Sequence, residues 1–226
     1  MLSESVSKIK GEIRAACKKA NRQAGTVRLI AVSKNQQIAS IIAAHNSGIS
    51  DFGENRVQEA KEKIRALANE KITWHFVGRL QNNKARKAAQ LFELIHSIGS
   101  FEMAETINQE AAKIQKKQKI LLQVNISGEK TKSGFSESEL LQIFPQLLRL
   151  PHVSIRGLMT IAPITENPEN SREIFRKLSL LRGKLEQIHS VSLPELSMGM
   201  SQDYRVAVEE GATMVRVGAA LFGGRK

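Results

Sequence analysis

Apolar positions along the chain follow two alternating periods. Short continuous apolar runs, the pattern of strands covered on both faces, fall at residues 27–32, 49–53, 72–77, 94–98, 120–126, 153–159, 193–196 and 213–217. Between them, apolar residues three and four apart predict amphipathic helices at 38–45, 57–67, from Lys84 onward, and at 101–116, 138–148, 174–188 and 206–210. A further helix precedes the first strand over 3–24, with Val6, Ile9, Ile13, Ala16, Cys17 and Ala20 on one stripe and Gly25 as its stop. Strands and helices that alternate about eight times predict an α/β fold, a single (β/α)8 TIM-type barrel with an extra N-terminal helix, rather than a doubly wound sheet. The 226 residues suffice for one such barrel, and no Pro/Ser-rich linker, charge tail or short repeat divides them, so 1–226 is expected to be one domain.

Composition narrows the class. Charged residues make up 25% and hydrophobic ones 41%, which excludes wholesale disorder. The lone Cys17 cannot form an internal disulfide, and the N-terminal residues lack the apolar centre of a signal peptide; both favour a cytoplasmic setting. No run is long enough to span a membrane. The net charge of +12 implies attraction to polyanions or small anions, but the basic residues are spread over helix-like segments and aromatics are only 4%. Little material exists for base stacking, so no specific nucleic-acid partner is expected.

Candidate chemistry gathers at strand ends. Lys34 closes the first strand, where α/β barrels place their ligands. Taken alone it reads as a snorkelling lysine, a phosphate-binding cation or an imine-forming nucleophile. Residues 197–201, SMGMS, precede a helix and outline a phosphate cradle, with Gly199 for close approach and Ser201 opening the helix; an ordinary capped turn fits them equally. Arg216 interrupts the apolar last strand and should meet an anion, either an internal carboxylate or a ligand. Gly218 again allows close approach at a strand end. An amine on one side of a rim, with a cradle and an arginine on the last two strands, suits a small molecule carrying an aldehyde and a phosphate. Pyridoxal 5′-phosphate (PLP) is one.

The chain resembles the YggS-like (PROSC-like) PLP homeostasis proteins over nearly its whole length. The shared segments are AVSK at 31–34, FGENRVQE at 52–59, WHFVGRLQNNK at 74–84, GLMTIAP at 157–163, SMGMS at 197–201 and VRVGAALFG at 215–223. The resemblance implies the fold of the alanine racemase N-terminal barrel (PLP fold type III). It also implies a PLP imine at Lys34, Ser201, Arg216 and Gly218 near the phosphate, Asn55 and Met200 near the ring, and His75 and Asn83 on the surrounding rim. Threonine and lysine usually follow the AVSK lysine in that family, whereas Asn35 and Gln36 follow it here.

The same resemblance implies PLP binding without established turnover and a role in vitamin B6 and amino-acid homeostasis; the single domain and the missing second base add PLP-dependent apo-enzymes as expected recipients. The residues add support. A two-base racemase needs a second acid/base opposite the imine, and the one tyrosine, Tyr204, falls within the helix after the cradle. No residues remain for a racemase-type β-domain. A monomeric, non-catalytic PLP carrier is therefore expected, with a PLP-dependent racemase or lyase acting on a small amino acid as the alternative. His45, His96, His152 and His189 lie at helix or strand-edge positions without ligand spacing, so no metal site is expected. Cys17 is expected in the core.

Overall fold

In a computed structural model of the chain, which describes residues 2–129 and 133–223, eight parallel strands close into a barrel in sequential order. These are β1 (Arg28–Val32), β2 (Asp51–Glu54), β3 (Thr73–Phe76), β4 (Leu94–Ile98), β5 (Gln118–Gln123), β6 (Val153–Met159), β7 (Glu195–Ser197) and β8 (Met214–Val217). The helices are α1 (Leu2–Lys19), α2 (Ile38–Asn46), α3 (Val57–Ala66), α4 (Ala85–Leu91), α5 (Phe101–Ala112), α6 (Glu137–Leu147), α7 (Arg172–His189), α8 (Tyr204–Glu209) and α9 (Ala219–Phe222). The expected (β/α)8 barrel with an added N-terminal helix is what the chain forms. Part of the polar loop expected at 128–134 falls on 130–132, outside the described residues.

Two separate apolar clusters explain the continuous hydrophobic runs. Alternate strand residues such as Ala31, Phe52, Trp74, Phe76, Ile95, Ile120 and Leu196 face outward and pack with the helices in one large core. The residues between them face inward, where Ile30, Leu94, Leu121, Met159 and Met214 form a small inner layer. Burying each such side chain contributes about 1.5–3 kcal/mol, so both faces of each strand hold it in register. The parallel ladder aligns Val32 with Gly53 and Ala31 with Val217, bringing the ends of β1, β2 and β8 side by side. Gly157 tightens the far wall. Its φ of +152° and a virtual Cβ 1.8 Å from the Glu195 carbonyl oxygen leave room only for glycine, beside a register shift between β5 and β6.

Some boundaries move for identifiable reasons. β5 starts at Gln118, two residues before the expected 120, because its buried side-chain amide donates to the Phe92, Glu93 and Lys119 carbonyls. α5 stops at Ala112 rather than 116, and the chain leaves it through Gln115 at a left-handed φ of 52°. The helix expected from Lys84 opens with a 3-10 turn at Asn82–Lys84. α1 is fastened to α8 by the Tyr204 hydroxyl donating to Glu12, and just past α1 Arg22 donates to the carbonyls of Val208 in α8 and Ala212 beyond it at 2.6 and 2.8 Å. Cys17 is fully buried on the inner stripe of α1, as expected. No helix among the described residues is long and apolar enough to cross a membrane.

Candidate functional site

Lys34 lies two residues beyond β1, on the inward phase of Arg28, Ile30 and Val32, and its side chain is exposed at the barrel mouth. The residues on either side of it are held from below. Ser33, fully buried, donates from Oγ to Glu54 Oε1 at 2.6 Å. Lys63, on α3, donates to the Ser33 carbonyl at 2.6 Å, to Glu54 Oε1 at 2.8 Å and to Glu59 Oε1 at 2.6 Å. Glu59 Oε1 also accepts from the Asn35 backbone N–H at 2.6 Å. Asn35 sits at φ 59°, a left-handed conformation that asparagine tolerates better than most residues. A mobile amine thus rises from a backbone fixed on both sides. Burial pushes the Glu54 carboxyl above its ordinary pKa, against the opposing pull of Lys63 and Ser33, and its Oε2 has no hydrogen-bond partner among the described residues.

The strand register sets Asn55 beside Lys34, two residues beyond Gly53 of β2. Its Oδ1 is buried and unpaired among the described residues, an orphaned acceptor at the mouth. On the other flank, Ser201 and Gly218 come together, since Ser201 Oγ accepts from the backbone N–H groups of Gly218 at 3.3 Å and Ala220 at 3.2 Å. Ser201 does not open the following helix, contrary to the sequence expectation. The Asp203 carboxylate accepts from the Met200 N–H at 2.7 Å, α8 begins at Tyr204, and the Ser201 hydroxyl turns toward the end of β8. Gly199, at φ 88° with a virtual Cβ 2.5 Å from the Ala207 Cβ, permits this tight passage, and Met200 is half-buried next to it.

Arg216 lies within the barrel, 4% exposed. Nη1 donates to Ser197 Oγ at 2.6 Å and Nη2 to the Thr160 carbonyl at 2.9 Å. The internal carboxylate offered as one possible partner is absent, because among the described residues no acid forms an ion pair with it. Burial lowers its pKa to about 10, opposed by the charge of Asp203. It remains a cation, and its unneutralised charge favours an anionic ligand.

Two placements from sequence need correction. His75 does not lie on the rim and His96 does not lie at a strand edge; both are fully buried inside the barrel, on the inward phase of β3 and β4, with His75 Nδ1 and His96 Nε2 3.0 Å apart. Asn83 is exposed in the β3–α4 connection, as a rim residue should be. Tyr204 points away from the mouth toward Glu12 of α1. Sequence reasoning assigned no role to Lys63, Glu54 and Glu59. Their signal was present in Glu59 and Lys63 at i, i+4 and in a glutamate closing a buried strand, but on a helix that spacing ordinarily marks a solvated pair.

A family model described as the alanine racemase N-terminal domain matches residues 9–226. The pyridoxal phosphate homeostasis protein of Aquifex aeolicus (strain VF5) is 44% identical over 223 residues, covering 99% of this chain and 98% of that protein. The protein of the same name from Synechocystis sp. (strain PCC 6803) is 46% identical over 201 residues, or 88% and 92% of the two chains. The chain belongs to the pyridoxal phosphate homeostasis family. Within this family, the solved structure of PipY from Synechococcus elongatus PCC7942 with PLP bound is 39% identical. It superposes with a TM-score of 0.88 over 99% of this chain and 100% of PipY.

Proposed function

We propose that this protein binds PLP covalently at Lys34 and carries or buffers it in vitamin B6 and amino-acid homeostasis, without catalytic turnover. The carrying observation is an exposed lysine just past the end of β1 and, inside the same barrel, a buried guanidinium that pairs with no carboxylate among the described residues. When bound, PLP supplies an aldehyde that condenses with a lysine amine, losing water, and a dianionic phosphate. Lys34 provides the amine. Ser201, its oxygen held by the Gly218 and Ala220 N–H groups, provides a hydroxyl donor for the phosphate, and Gly218 leaves room for its approach. Arg216 contributes the compensating positive charge, while Asn55 and Met200 bound the ring. The clamp of Lys63, Glu54 and Glu59 fixes where the Lys34 stem emerges.

The same geometry argues against racemisation. Tyr204 is bonded to Glu12 outside the barrel and supplies no acid opposite Lys34. The partners that fit are PLP and the PLP-dependent apo-enzymes that receive it, with the protein acting as a cytoplasmic monomer. The test mixes PLP-loaded protein with an apo-enzyme and compares the rate of reactivation with that from free PLP at equal concentration. Faster reactivation is expected. Turnover of any amino acid in a sensitive panel, lost in Lys34→Ala, would instead establish the racemase or lyase alternative.

A further inference from the structure

Below the mouth, the interior of the barrel holds polar groups that the proposed PLP site does not use. Asp51 Oδ1 lies 2.9 Å from His75 Nε2, His75 Nδ1 lies 3.0 Å from His96 Nε2, and His96 Nδ1 lies 2.8 Å from Ser197 Oγ. Ser197 Oγ accepts from Arg216 Nη1 at 2.6 Å. These contacts form one line across β2, β3, β4, β7 and β8, alongside the inner apolar cluster of Ile30, Leu94, Leu121, Met159 and Met214.

The ends of the line dictate its direction. A guanidinium only donates and an ionised carboxylate only accepts, whereas a neutral imidazole and a hydroxyl each pass on one proton. Ser197 accepts from Arg216, so its own proton goes to His96 Nδ1. His96 then carries its proton on Nε2 and donates to His75 Nδ1, and His75 carries its proton on Nε2 and donates to Asp51. Every donor finds an acceptor with both imidazoles neutral. The opposite direction would require a doubly protonated His75, a second cation in an interior that already contains Arg216 and, at the floor, Arg28, 4.0 Å from Asp51.

The charged groups facing the line support the first direction. Arg28 on β1 pairs with Glu195 on β7, Ser50 donates to Asp51 Oδ2 at 2.8 Å, and Asp203 bears on Arg216 from above. Burial first, then the cationic forms of His75, Arg216 and Arg28, hold the pKa of His96 well below its ordinary value. Burial disfavours the Asp51 charge, but the His75 and Ser50 hydrogen bonds and Arg28 outweigh it and keep the carboxylate ionised. A satisfied polar chain in a barrel interior fixes the orientation of each of its members.

We propose that Asp51, His75, His96 and Ser197 form one polarised hydrogen-bond chain from the floor of the barrel to Arg216, and that His75 and His96 are positioning residues aiming its guanidinium at the bound ligand. Asp51 opens to solvent at the N-terminal end of the strands, so the chain couples the floor of the barrel to its mouth. The effect on release of PLP rests on the proposed function; the polarity of the chain and its hold on Arg216 do not.

The experiment is nitrogen-15 NMR of the histidine rings and the Arg216 guanidinium in PLP-free protein, followed by PLP release rates from the loaded protein. In wild type, both histidines should show the Nε2–H tautomer, and His96 should not titrate between about pH 8 and about pH 5. His96→Leu should speed exchange of the Arg216 guanidinium protons about tenfold and PLP release by a similar factor, as expected for loosening a hydrogen bond to a charged group. Asp51→Asn, which keeps an acceptor for His75, should change both by less than about threefold. An Nδ1–H tautomer at either histidine, or titration of His96 near its ordinary pKa, would overturn the chain without any variant having to fold. A folded His96→Leu protein with unchanged Arg216 exchange would overturn its positioning role. Failure of Lys34 to take up PLP at all would refute the proposed function and leave the tautomer and exchange results to decide the chain.

Discussion

The two sides of the barrel mouth are built on opposite electrostatic plans. On the β1–β2 side, ionised groups are paired and buried beneath an exposed lysine; Lys63 is bonded to two glutamates and to the carbonyl just before that lysine. On the β7–β8 side, Ser201 accepts from two backbone amides and, deeper in the barrel, a guanidinium without a carboxylate partner among the described residues donates to Ser197. On the first side the charges are paired with one another and fix the backbone on either side of Lys34. On the second, no carboxylate pairs with the guanidinium among the described residues, and in the proposed function a ligand supplies the missing negative charge. Removing a partner should therefore cost folding stability on the first side and ligand affinity on the second.

The largest expected effect comes from breaking the paired side. Lys63→Met leaves the Glu54 carboxyl buried without its cation, a loss of about 3–5 kcal/mol measurable by urea denaturation. Adding Glu54→Gln should recover much of it by removing the stranded charge. Gly199→Ala probes the other side through its backbone. At φ 88°, with a virtual Cβ 2.5 Å from Ala207 and 2.9 Å from the Tyr204 Cα, it should lose about 2–3 kcal/mol of stability and PLP affinity with it.

Ser201→Ala separates the two plans most clearly. It removes a hydroxyl from the cradle with little buried volume, so PLP affinity read by equilibrium titration should fall about tenfold while stability changes by about 1 kcal/mol or less. The smallest effect belongs to Asn35→Ala. Alanine at a left-handed φ costs about 1 kcal/mol, and because the Glu59 bond goes to the backbone N–H, PLP attachment at Lys34 should persist.

The β7–β8 side was the more legible in sequence. Its glycines and serines stand out in SMGMS and VRVG, because close backbone approach and anion donation need those residue types and few others. The barrel itself was legible for a similar reason, since strands buried on both faces leave continuous apolar runs at a fixed spacing. The platform under Lys34 was not legible. Lys63 and Glu59 sit in a charged stretch that reads as a solvated helix face, and only the register between β1 and β2 turns that face onto Ser33 and Asn35. The interior histidines were missed for the same reason. In sequence His75 and His96 are single histidines in separate strands, and the inward phase that makes them neighbours depends on how the barrel closes.

The central claim is that Lys34 is the point of PLP attachment, and the most direct measurement is borohydride reduction of PLP-treated protein followed by intact mass and peptide mapping, beside a Lys34→Ala control. The account predicts one reduced adduct per chain, on the peptide containing Lys34 and absent from the control. No adduct, or adducts scattered over surface lysines and equal in the control, would contradict it.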